Sequence, residues 1–88
     1  MGTRVMLVDA DPALAELLEE WLAEQGCATV REHPDLVLVD LPFPRERGLQ
    51  VLRRLGEAHP DTPVVPMPKP LTRDAFAAAL RRAMDEIP

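Results

Sequence analysis

Eighty-eight residues with 47% apolar side chains and a formal net charge of −5 describe one small acidic domain with a real core, which excludes a disordered tail and the basic footprint of nucleic-acid binding. Cys27 is the single cysteine, so neither a disulfide framework nor a cysteine-based metal site is available. No leader and no long apolar run stands in the chain, so a soluble cytoplasmic protein is expected, with neither nucleic acid nor membrane among its partners. Aromatic residues are few (Trp21, Phe43 and Phe76), so Leu, Val and Ala must build the core. The ten prolines fall between periodic segments as punctuation. Nine of the ten basic residues are Arg, and Lys69 is the single lysine.

Arg4 to Val8 reads as a short apolar strand ending on a carboxylate, Asp9. Asp11 and Pro12 suit the N-cap and first position of a helix. That helix carries Leu14, Leu17, Leu18, Trp21 and Leu22 on one stripe and Glu16, Glu19, Glu20 and Glu24 on the other face, with Gly26 as its stop. Cys27 to Val30 is an uncertain strand, too close to the next segment for a covering helix to join the two. Leu36 to Val39 is a continuous apolar run, the signature of a strand buried on both faces of a parallel sheet. Asp40 closes it, at the carboxyl end where open α/β sheets place ligands and chemistry.

A loop over Leu41 to Arg47 leads to a helix from Gly48 to about Ala58, ended by His59 and Pro60. Thr62 to Met67 holds a third apolar strand, confined by Pro63 and Pro66 to a short or edge position. Thr72 then caps a last helix to about Glu86, with Phe76, Leu80 and Met84 on its stripe. Strands alternating with helices predict an α/β domain on a parallel sheet. His33 and His59 each precede a proline in a loop and read as solvent-facing; Trp21 and the leucine stripes read as core.

Several spaced features now coincide: V-D-A-D-P after the first strand, P-D-L-V-L-V-D-L-P-F-P-R-E-R-G around Asp40, and K-P at Lys69 and Pro70. As a set they make the chain resemble the response-regulator receiver domain of two-component signalling. The resemblance implies a miniature flavodoxin-like fold of three to four parallel strands and about three helices, lacking the family's second and fourth helices. It implies that Asp40 is the phosphoacceptor, that Lys69 contacts the phosphoryl group, and that Asp9 with Asp40 helps to hold Mg²⁺. A carboxylate can form an aspartyl phosphate, and a lysine and a divalent cation offset the charge that develops on the transferred group.

The departures bear on the chemistry. The family's second acidic metal ligand falls on Ala10, which weakens any residual Mg²⁺ site. Asp11, one residue later, suits a cap better than a ligand. Asp9 has two readings, residual metal binding and hydrogen bonding to the loop. V-V-P-M-P supplies no hydroxyl at the end of the fourth strand, and the aromatic switch residue is absent.

Losing two helices should leave Leu36 to Val39 partly uncovered. If Cys27 to Val30 is not a strand, the first helix would join its neighbours with the rare left hand. Both points suggest a homodimer. Three functions follow. The first is a degenerate receiver acting as an interaction or dimerisation module with impaired Mg²⁺-dependent phosphorylation. The second is an active miniature receiver phosphorylated on Asp40 by a histidine kinase, and the third an assembly protein reusing the scaffold. None is an enzyme beyond self-phosphorylation from a phosphodonor.

Overall fold

The computed structural model describes residues 2–8, 10–40 and 45–87, with residues 45–48 described by backbone alone. The elements run β1 (Arg4–Val8), α1 (Pro12–Glu24), β2 (Ala28–Thr29), β3 (Leu36–Val39), α2 (Arg45–Ala58), β4 (Val64–Pro66) and α3 (Arg73–Met84). All pairings are parallel, and the strand order is β2-β1-β3-β4. The chain steps one way from β1 to β2 and the other way from β3 to β4. Right-handed crossovers then place α1 and α2 on opposite faces, and α3 returns to the face of α1.

The ends of α1 follow from local chemistry. The Asp11 carboxylate accepts from the Leu14 backbone N–H at 2.8 Å. At the other end Gly26 takes φ +74°, Cys27 N–H donates to Leu22 O at 2.9 Å, and Gly26 N–H donates to Ala23 O at 3.0 Å. These two bonds satisfy carbonyls the helix would otherwise orphan, in a conformation that favours glycine. Thr72 caps α3 by accepting from the Ala75 N–H at 3.1 Å.

One core joins α1 and α3 to the sheet. Val5, Leu36, Leu38 and Met67 pack with Leu18 and Leu22 of α1 and with Phe76, Leu80 and Ala83 of α3. Trp21 and Phe76 meet with ring centroids 5.5 Å apart and planes inclined at 51°, a tilted geometry aromatic pairs favour. At the rim, Arg73 Nε donates to Glu24 Oε2 at 2.9 Å, tying α3 to α1. Cys27 lies against this core, and burial pushes its thiol pKa up, which keeps it protonated and unreactive.

Three expectations change. The uncertain strand exists, as the two-residue β2 pairing with Arg4 and Val5 of β1. With β2 on the far side of β1 from β3, the first crossover keeps its usual hand, and a link of six residues (30–35) suffices because no helix has to cover it. Second, α2 starts at Arg45, three residues before Gly48. Arg and Glu are strong helix formers, and one interior glycine costs about 1 kcal/mol without ending a helix.

Third, β3 is covered: Leu36, Val37 and Val39 are 0% exposed and Leu38 2%. The sheet is narrow and β3 is interior. One face of β3 meets α1 and α3, and α2 lies against the neighbouring strand β4. Among the described residues, exposed large apolar side chains lie instead on helices, at Leu17 (39%) and Leu49 (55%). No helix among the described residues is long and apolar enough to cross a membrane.

The link from β2 to β3 is clasped at its end. Arg4 N–H donates to Asp35 Oδ2 at 2.9 Å, Arg4 Nη2 lies 3.3 Å from Asp35 Oδ1, and Asp35 N–H donates to Arg4 O at 2.8 Å. The Arg4 backbone N–H, and after it the guanidinium, hold the Asp35 carboxyl pKa below its ordinary value. A depressed carboxyl pKa adds stability above the unfolded-state value and loses it as pH falls through the folded one. Asp35→Asn should therefore lower stability modestly at neutral pH, leave it little changed in acid below the folded-state pKa, and so flatten the acid limb of the stability–pH curve, read by thermal melts over an acid series. The same slope in both proteins would remove the clasp from the explanation of acid sensitivity.

β4 is an open edge. Val37 N–H donates to Pro63 O and Met67 N–H to Val39 O, each at 2.9 Å. The alternate residues Val64 and Pro66 thus turn their backbone away from β3. Pro66 has no N–H to offer there, which blunts the edge against strand addition. Pro66→Val should make the protein associate at concentrations where the parent sediments as before. Unchanged sedimentation would mean that something other than proline guards this edge.

Candidate functional site

The site forms where the strand order reverses, between β1 and β3, the position at which open α/β sheets leave a crevice. Asp40 follows β3 directly and is anchored to β1 by its N–H, which donates to Val8 O at 3.1 Å. Pro66 ends β4 in register with Val39. Met67 is then drawn into the core at 5% exposure. That anchor, with Pro68 and Pro70 on either side of Lys69, restricts the segment that carries it. Lys69 Nζ lies 2.7 Å from Asp40 Oδ1.

Asp40 and Lys69 are 29 residues apart in sequence, and the parallel sheet brings them together. Their side chains are 26% and 52% exposed, so water screens the pair and its contribution to folding is small, about 0–1 kcal/mol. Its interest is chemical. A carboxylate at a strand end, in contact with an ammonium group, is a nucleophile with its charge partner already placed.

Asp9 lies outside the described residues. Ala10 is described: its side chain carries no oxygen and packs partly against the core formed by α1 and α3. Asp11 is the N-cap of α1, with its carboxylate engaged by Leu14. Among the described residues no group of three or more His, Cys, Asp or Glu side chains could hold a metal ion. Among the described residues Asp40, already paired with Lys69, is the carboxylate left at these strand ends, because Asp11 caps α1 and Asp9 is not among them. Mg²⁺ usually relies on one or two carboxylates with substrate phosphates and water. The hydroxyl missing from V-V-P-M-P has no replacement in β4, which consists of Val64, Val65 and Pro66.

No family model matches the chain. Similarity to individual proteins is nevertheless extensive. The chain is 24% identical, over 99% of its length, to the Regulator of RpoS of Escherichia coli strain K12, of which the match covers 30%. It is 40% identical, over 74% of its length, to the DNA-binding response regulator MtrA of Mycolicibacterium smegmatis, covering 34% of that protein. It is 32% identical to the transcriptional regulatory protein CpxR of Klebsiella pneumoniae, over 70% of this chain and 32% of the relative. The chain thus spans about a third of the length of these curated relatives. A solved structure described as a transiently phosphorylated "switch" in bacterial signal transduction superposes with a TM-score of 0.70 and 26% identity, covering 97% of this chain and 96% of that one. With the sheet order, the Asp40–Lys69 pair and these relatives in agreement, the chain is a response-regulator receiver-like domain.

Proposed function

We propose that this domain serves two-component signalling mainly as an interaction module, engaging a histidine kinase or another signalling protein, with Mg²⁺-dependent phosphorylation of Asp40 impaired. The observation that carries this reading is Ala10, packed toward the core where the resemblance calls for a metal-binding carboxylate. The lack of a hydroxyl in β4 supports it. Without a strong cation site, the negative charge that develops during phosphoryl transfer falls to Lys69 alone, which slows the step. A residual Mg²⁺ site made by Asp9 and Asp40 would be weak.

A second reading, an active miniature receiver, is favoured by the 2.7 Å contact between Lys69 and Asp40. Here an Asp40 carboxylate oxygen attacks phosphorus, the bond from phosphorus to the donor's leaving atom breaks (the imidazole nitrogen of a kinase phosphohistidine, or the acyl oxygen of acetyl phosphate), and the new aspartyl phosphate is held by Lys69. Exposure to acetyl phosphate or beryllofluoride with Mg²⁺, followed by intact mass and amide shifts, separates the two. Impairment predicts little or no adduct; an adduct that forms readily and disappears in Asp40→Asn would establish the second reading.

The sequence grounds for a homodimer are weaker than they were, because β3 is covered within one chain and β2 restores the usual handedness. A different signalling protein, meeting helix surfaces such as those around Leu17 and Leu49, is the partner we favour.

A further inference from the structure

We infer that the cleft at the amino-terminal end of the sheet, opposite the Asp40 site, is a second ligand site for a small organic phosphate. It arises because the β2–β3 link carries no helix. Arg31 to Pro34 form one wall, and Ala58, His59 and Thr62, at the end of α2 and just after it, form the other; Arg4 and Met6 of β1 lie between them. The strands are parallel, so this cleft and the Asp40–Lys69 pair lie at opposite ends of the sheet.

The chain carries a net charge of −5, yet this cleft gathers nitrogen donors. Arg31, His33 and His59 line it with the Thr62 hydroxyl, against one acid, Glu32. Arg4 also faces it but is held by Asp35, so Arg31 is the guanidinium available to a ligand, and no ion pair engages it among the described residues. Guanidinium and imidazole donors suit phosphate oxygens, and Arg can bind them in a two-pronged fashion.

Backbone geometry points to the same place. His33 adopts φ +53°, a left-handed conformation uncommon for a residue other than glycine. Strain of this kind gathers at ligand clamps.

Size argues for an organic body on the phosphate. The cleft holds about 580 Å³, within the roughly 300–1,000 Å³ typical of small-molecule sites. Part of its lining is apolar, from Met6, Pro34 and Ala58. A bare phosphate ion would leave those side chains unused, whereas a ring or sugar would cover them.

The test is a titration of the isotope-labelled protein with AMP, adenosine and inorganic phosphate, following the His33 and His59 imidazole resonances by NMR. AMP should saturate both, with adenosine and inorganic phosphate each at least about tenfold weaker because each lacks one half of the interaction. Arg31→Ala, at an exposed position, should weaken AMP by a similar factor, and Lys69→Ala should leave it unchanged. His59→Ala provides a second variant in the opposite wall and should also weaken AMP. Three results would overturn the proposal: no saturation by AMP, inorganic phosphate binding as tightly as AMP, or AMP binding that depends on Lys69 and ignores Arg31.

Discussion

Phe76→Ala should destabilise the domain by about 3–5 kcal/mol, the usual cost of emptying a fully buried aromatic site. Phe76 is 1% exposed and joins α3 to Trp21 of α1 and to the leucines over β1 and β3. A domain of this size has roughly 4–13 kcal/mol in total, so the variant should unfold at much lower denaturant concentration and lose its sharp melt. Leu17→Ala is the control, since Leu17 is partly exposed on the same helix as Trp21 and should cost less than about 1 kcal/mol. Similar losses in the two variants would mean that α3 is not docked as described. Docking of α3 matters to function because the segment carrying Lys69 lies between β4 and this helix.

Ala10→Asp should raise Mg²⁺ affinity by at least about tenfold, the scale on which metal sites respond to changes in their ligand environment. Without metal the variant should be slightly less stable, because a new carboxylate is added near Asp40 with only Lys69 to offset it. With metal the order should reverse, since an ion that binds only the folded state raises the melting temperature. Mg²⁺-dependent melting of parent and variant therefore reads the effect in two directions at once. A variant that melts identically with and without Mg²⁺ would place the defect elsewhere, with the hydroxyl missing from β4 the first alternative.

Much of this architecture was legible in the residues. The apolar run Leu36 to Val39 announced a buried parallel strand, and Asp11, Gly26 and Thr72 marked helix ends that the hydrogen bonds confirm. Asp40 and Lys69 could be paired only through the resemblance, because 29 residues separate them and nothing local aims one at the other. The two-residue β2 carries too little pattern to identify, since its stability comes from pairing with β1 rather than from a buried stripe. The burial of β3 does not follow from the number of missing helices, because in a sheet of four strands it is an interior strand. The Arg4–Asp35 clasp and the His33–His59 cleft were invisible for a similar reason. They join the start of one strand to a link and a helix end, and each contributing residue looks like ordinary loop polarity by itself.

On the function proposed above, this receiver-like domain keeps the Asp40–Lys69 pair while its phosphoryl chemistry is impaired. Intact-mass analysis after incubation with acetyl phosphate and Mg²⁺ is the decisive experiment, with the parent, Asp40→Asn and Ala10→Asp run side by side. The parent should carry little or no phosphoryl adduct, Asp40→Asn none, and Ala10→Asp distinctly more than the parent. A parent that is phosphorylated rapidly and fully, with the adduct abolished in Asp40→Asn, would contradict it and make this chain a working miniature receiver.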